Sequence, residues 1–242
     1  MRMAIRPIVG EDKRGLALRV AIEDAARGGL GEWVQGVLES CDLGAGQCDL
    51  ILDLGNPNFE PIDGFVGLLA ELMAGLPYLR DWRRFALIGT SFPASIAVLR
   101  AGASIVPRDE WRLYKLLAGR LGEAGVRIPF FGDYTVNHPN IIELDMRLVK
   151  PYASVRYTIN NGWLVVRGQN VRDYGFGQYR ELCGVVIRAR EYCGRDFSQG
   201  DDYIQSCAQG IASTGNLTTW RWVGTNHHLE MVARDIAGLA YS

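Results

Sequence analysis

The 242 residues are 48% hydrophobic and 22% charged, a balance that excludes wholesale disorder and supplies a substantial core. No run of about 18 apolar residues occurs, so no membrane-spanning helix is expected. The 26 Lys and Arg against 27 Asp and Glu leave a net charge of -1, which argues against a general polycation on DNA.

Met1 to Arg6, followed by Pro7, lacks the apolar core of a secretory leader. The five cysteines form no CxxC pair and read as reduced structural thiols, so a cytoplasmic location is expected. Of the 26 basic residues 23 are Arg, so the placement of guanidinium groups must decide whether an anion is recognised.

In chain order, Met3 to Val9 reads as a strand. Asp12 reads as the cap of a helix carrying Leu16, Leu18, Val20 and Ile22 at i,i+4 spacing. Gly28-Gly29 ends it, and Leu30, Trp33, Val34, Val37 and Leu38 mark a second helix. Cys48 to Leu54 is a buried strand closed by Gly55-Asn56-Pro57. Ile62 to Leu76 is a helix, and Arg84 to Gly89 a strand running into Thr90-Ser91-Phe92-Pro93. Asp109 caps a helix from Glu110 to about Glu123, and Val126 to Phe131 is a strand ending at Gly132-Asp133-Tyr134.

This alternation predicts parallel strands with crossover helices, hence an α/β fold: a TIM-barrel-like (β/α) arrangement, incomplete or open, or an open sheet. Ligands of such folds sit beyond the carboxyl ends of the strands, which singles out Asp53, Ser91 and Asp133. Residues 135–150 read as a connecting loop. The whole of 1–242 reads as a single domain, with β/α repeats over 1–134 and a hairpin and helical part over 151–242.

Ala153 to Ile159 and Trp163 to Arg167 alternate in polarity and are joined by Asn160-Asn161-Gly162, a hairpin signal. With Asn161-Gly162 as the loop, Asn160 faces Trp163 and Arg156 lies directly opposite Arg167. Opposed like charges destabilise a ladder unless an anion sits between them, so the pair predicts a phosphate or carboxylate clamp. With Asn160-Asn161 as the loop, the direct opposition disappears.

Helices follow at Gln178 to Arg190, at Gln199 to Gln209 behind a Ser198 cap, and at His227 to Leu239. Thr225 or Asn226 would cap the last helix, and its first-turn donors could hold an anion. His227 and His228 would lie in that first turn, where the dipole favours neutral imidazole: a base, a metal ligand or a structural cap. Arg180 and Arg221, with Tyr157 among interleaved aromatics, extend the candidate anion set. The region is close to charge balance, which fits a small anionic ligand or a strand end better than a continuous nucleic-acid groove. Asp53, Asp133 and Asp201 could join a histidine around Mg2+ or Mn2+, although Asp201, three residues after Ser198, equally reads as part of a capping box.

Several segments resemble a bacterial and phage group, the beta family protein. They are Ile51-Leu52-Asp53-Leu54, Ser91-Phe92-Pro93, Pro107-Arg108-Asp109-Glu110-Trp111-Arg112-Leu113-Tyr114 and Phe131-Gly132-Asp133-Tyr134. The likeness continues through Arg156-Tyr157-Thr158, Gln178-Tyr179-Arg180, Gly215-Asn216, Thr219-Trp220-Arg221 and Gly224-Thr225-Asn226-His227-His228. The resemblance implies an α/β, barrel-like fold and an association with phage or phage-defence gene neighbourhoods. It brings no reaction and no catalytic residue. Members of the group carry more strands ahead of the segment matching Met3 to Val9. The chain is therefore expected to be a shortened form, whose open sheet edge needs a covering helix, a partner protein or a homo-oligomer.

The leading expectation is a cytoplasmic, defence-associated protein that binds a phosphorylated small molecule or nucleic-acid end without turnover and without a membrane. The competing expectation is a phosphoester hydrolase, with Asp53 and Asp133 holding Mg2+ or Mn2+ and His227 or His228 as base. A non-catalytic assembly subunit is the third.

Overall fold

The computed structural model describes residues 7, 9–139 and 151–239. Two compact units result: Met1–Ser91 with Glu110–Asp133, and Phe92–Asp109 with Tyr134–Ser242.

The first unit is built on a four-stranded parallel sheet of β1 (Leu16–Ala21), β2 (Cys48–Asp53), β3 (Arg84–Gly89) and β5 (Phe130–Asp133), paired in that order. A short α1 (Ile22–Ala26) follows β1; α2 (Leu30–Cys41), α3 (Ile62–Ala74) and α4 (Asp109–Glu123) are the longer helices. The core joins Leu50, Leu52, Phe85 and Leu87 of the strands to Val34, Val37, Val66, Leu69, Leu113 and Leu117 of those three helices. All four strand residues point to one side of the sheet, so the helices share a face. Such an α/β fold is consistent with a partial or open TIM-barrel-like arrangement.

Several expectations are corrected here. Leu16–Ala21 is a strand, not an Asp12-capped helix: Leu18 aligns with Leu50 and Val20 with Leu52. Spacing of i,i+4 is also twice the strand period of two, and burial against the parallel neighbour decides between them. The strand expected at Met3 to Val9 falls largely outside the described residues; the Val9 carbonyl accepts from the Lys13 N–H at 3.0 Å, a helical turn. The last parallel strand begins at Phe130, because the Val126 N–H is drawn back to the Leu121 carbonyl at 2.9 Å, after the end of α4. Part of the connection expected at 135–150, residues 140–150, lies outside the described residues.

The second unit holds an antiparallel sheet ordered β4 (Gly102–Pro107), β7 (Gly162–Asn170), β6 (Tyr152–Ile159). Strand β4 escaped the sequence reading, since it is short and bounded by Gly and Pro. The hairpin forms with Asn160-Asn161 as its loop: Ile159 pairs with Gly162, Thr158 with Trp163, and Arg156 with Val165. Arg156 therefore does not face Arg167, which pairs with Ser154. Gly162 belongs inside the ladder, because a Cβ there would stand 2.8 Å from the Val106 carbonyl of β4.

Four helices complete this unit: α5 (Val171–Tyr174), α6 (Tyr179–Arg188), α7 (Gln199–Ala208) and α8 (Leu217–Leu239). Ser198 caps α7 as expected, accepting the Asp201 N–H at 3.2 Å. The last helix begins ten residues before His227. Its cap is Asn216, whose Oδ1 accepts the N–H groups of Thr218 and Thr219 at 2.9 and 3.1 Å. The polar run to His228 is helical because Trp220, Val223, Gly224, His227 and His228 form one buried face.

Helices α7 and α8 meet where Gly200 leaves no room for a side chain: a Cβ would lie 2.6 Å from the Val223 carbonyl. Gly200→Ala is expected to cost about 1–3 kcal/mol, read as a lower urea midpoint, because the obstructing atom is backbone. No helix among the described residues is long and apolar enough to cross a membrane.

Candidate functional site

At the carboxyl ends of the parallel strands, Asp53 is buried and engaged within the chain. It accepts from the Arg19 guanidinium, with Nε at 2.6 Å, and from the Gly55 N–H at 2.8 Å. Ser91 donates from both its N–H and its hydroxyl to Glu110 Oε2, at 3.0 and 2.7 Å. Asp53 aligns with Ile88, and Ile88 with Gly132, so Asp53 and Gly132 share one face. Asp133, the next residue, belongs to the opposite face. Alternation along the strand thus separates the two carboxylates expected to share a metal ion. Among the described residues no group of three or more His, Cys, Asp and Glu side chains is placed to hold a metal. A cavity of about 370 Å³ near the end of β1 includes Arg19, Asp24, Arg27, Gly28, Gly29 and Trp33 in its lining. Its arginines are ion-paired within the chain, Arg19 with Asp53 and Arg27 with Asp24.

The second unit gathers positive charge on one sheet face. Arg156 faces Val165, and Arg167 is two residues further along β7, so the two arginines share a face as diagonal neighbours. That geometry sets their Cβ atoms about 7–8 Å apart, within reach of long side chains. Arg156 donates to the Val136 carbonyl at 2.5 Å and lies 5.0 Å from the Phe92 ring centroid. Arg167 stacks 4.2 Å from the Tyr152 ring centroid, and its Nε is buried without an acceptor. Trp163, fully buried on the same face, also has an indole N–H without an acceptor. Among the described residues neither Arg156 nor Arg167 has a carboxylate partner. Burial, with the nearby Arg221 guanidinium adding, pulls Arg156 down to about 10. Arg180 stands apart, beside Gly210 after α7.

The histidines belong to a buried network rather than to a helix start. His227 donates from Nε2 to the Thr158 carbonyl at 2.7 Å, and its Nδ1 meets Asp201 Oδ2 at 2.9 Å. One proton is held between that nitrogen and that oxygen. The ring stacks on Tyr157 at 3.7 Å, and the Tyr157 hydroxyl donates to Asp201 Oδ1 at 2.7 Å while accepting from the Cys193 N–H at 2.9 Å. Burial, reinforced by the Asp201 charge, pushes the Tyr157 phenol far above its ordinary value, so it remains a neutral donor. His228 Nδ1 lies 2.9 Å from the Thr158 hydroxyl. Asp201 therefore serves both the α7 start and the ring of His227.

This network covers an open edge. Strand β6 borders its sheet, and its outward backbone groups find side-chain partners: Ser154 N–H donates to the Tyr179 hydroxyl at 3.1 Å, and the Thr158 carbonyl accepts from His227. Thr225 and Asn226 sit in mid-helix, not at a cap. Asn226 Oδ1 accepts the Gly200 N–H at 2.7 Å, and both residues border a cavity of about 320 Å³ with Arg221 and Trp222.

A family model described as Beta protein matches residues 2–234. The chain belongs to the Beta protein family. No curated protein and no solved structure matches it significantly. In this member of the family, the sequence reading missed Arg108, whose side chain is fully buried and donates to Asp235 Oδ2 at 2.9 Å. The missed signal is Pro107-Arg108-Asp109: an arginine directly before a helix cap, in a segment that the resemblance already includes. Missed too were the buried Trp163 N–H and the Thr158 carbonyl, for which spacing carries no signal.

Proposed function

We propose that the chain recognises a phosphate-bearing ligand on the β6–β7 face, through Arg156 and Arg167 with Arg221 beside them. The observation that carries this reading is the pair of arginines on one sheet face without a carboxylate partner among the described residues. Like charges held this close are relieved by an anion, and charge-assisted, forked hydrogen bonds to phosphate oxygens suit guanidinium groups. The buried Nε–H of Arg167 supplies a donor in need of an acceptor. Family membership and the free thiols accord with a phage-defence role in the cytoplasm.

Calorimetric titration with pyrophosphate and with a 5′-phosphorylated dinucleotide tests the reading, with the dephosphorylated dinucleotide as comparison. Binding is expected for the phosphorylated probes alone, without turnover and without Mg2+ or Mn2+. Arg156→Ala and Arg167→Ala are each expected to weaken it about 10- to 100-fold, the range for a lost charged hydrogen bond. Arg27→Ala, on an exposed pair in the first unit, should leave it unchanged. Equal binding of both dinucleotides would sink the anion reading. Ion-dependent product release would favour the hydrolase instead.

A further inference from the structure

Two of the thiols meet inside the second unit. Cys183 lies on α6 and Cys207 on α7, and both are fully buried in the core that joins these helices to Val155, Tyr157, Leu164 and Val166. The start of α6 lies beside the end of α7: the Arg180 guanidinium comes within 3.6 Å of where a Cβ on Gly210 would stand. The two helices therefore run antiparallel. One turn onward from Arg180 is Cys183, and one turn back from Gly210 is Cys207, so this register sets the cysteines opposite each other. Their thiols hydrogen-bond to one another. Among the described residues no third His, Cys, Asp or Glu joins them in a group that could hold a metal. The pair lies on the other side of the β6–β7 sheet from Arg156 and Arg167 and is independent of anion binding there.

We propose that hydrogen peroxide converts Cys183 and Cys207 into a reversible disulfide that fastens α6 to α7. Joining the sulfurs removes two hydrogens and adds no atom, so close-packed surroundings accommodate the product where an adduct would need room. The hydrogen bond sets the order of attack. Donation from the Cys183 thiol holds the Cys207 thiol below its ordinary value, helped by the Arg180 guanidinium, whereas the same bond and burial push Cys183 up. The Cys207 sulfur, as thiolate, forms an S–O bond as the O–O bond of peroxide breaks, and the departing hydroxide takes up the Cys207 proton as water. The Cys183 sulfur then displaces the sulfenic oxygen, which leaves with the Cys183 proton as a second water. Both sulfurs are oxidised and the peroxide is reduced. Burial selects this oxidant: peroxide is uncharged and close to water in size, whereas glutathione disulfide must bring a bulky, charged group to the sulfur.

Peroxide treatment of the folded, full chain, followed by alkylation and mass spectrometry of an unreduced digest, tests the proposal. Peptides holding Cys183 and Cys207 are expected joined, lighter by two hydrogens and separated again by dithiothreitol, with glutathione disulfide acting far more slowly. The oxidised unit is expected to gain about 100-fold in its folding equilibrium constant, read from the urea midpoint, because the bridge restricts the unfolded chain. Cys207→Ala should abolish that gain, and Cys193→Ser, at an exposed thiol, should keep it. Recovery of Cys183 and Cys207 as free thiols from the folded protein, under peroxide that oxidises the urea-unfolded chain, overturns the proposal. So does joining only through Cys193. A bridge that leaves the urea midpoint unchanged overturns the fastening of α6 to α7.

Discussion

His227→Ala is expected to lower the stability of the second unit by about 2–4 kcal/mol, the range for truncating a fully buried ring and leaving buried polar groups without their partner. Three losses coincide. The buried Asp201 carboxylate loses the ring at its Oδ2, the Thr158 carbonyl on the sheet edge loses its donor, and the Tyr157 ring loses a stacked neighbour at 3.7 Å. His227→Gln, which keeps one donor within reach, is expected to lose less. Asp201→Asn preserves shape and the α7 cap while removing the charge, and it should fall between the two. Urea unfolding followed by circular dichroism ranks the three. A loss below about 1 kcal/mol for His227→Ala would mean that α8 is held by apolar packing alone. The same ranking bears on catalysis: a ring with both nitrogens taken by protein groups is an anchor, and a base must have one nitrogen facing its substrate.

Much of the first unit was legible because its strands are buried runs between clear turns. Arg84–Gly89 matches expectation end to end, and Cys48–Asp53 to within one residue. Leu16–Ala21 misled because its apolar residues satisfy the helical and strand periods together, and only pairing with β2 separates them. In the hairpin the same residues permitted two loops, and packing against β4 at Gly162 chose between them. That choice removed the direct opposition of Arg156 and Arg167 yet kept them on one face, since moving the pairing by a whole strand period preserves sidedness. The last helix was read ten residues short for a different reason. Its buried face is made of Trp220, Gly224 and two histidines, whose burial depends on Asp201 and Thr158, and partners brought together from distant segments leave no trace in local periodicity.

Asp235→Ala is expected to cost about 3–5 kcal/mol, although the aspartate lies near the end of the last helix, because its partner is what matters. Arg108 has a fully buried side chain, and its Nη1 donates to Asp235 Oδ2 at 2.9 Å and to the carbonyls of Ile159 and Asn160 at 3.4 Å each. Removing the carboxylate takes from the buried guanidinium the acceptor that Asp235 supplies. Arg108→Met combined with Asp235→Leu removes both charges and retains volume, and it is expected to recover most of the loss, since two charges taken out of water together need no compensation once both are gone. The contrast separates two roles. If the double variant is as unstable as Asp235→Ala, the guanidinium acts chiefly on the hairpin carbonyls and fixes the Asn160-Asn161 loop. If stability returns, the pair's task is to join α8 to the β6–β7 turn, and an apolar contact performs it equally well.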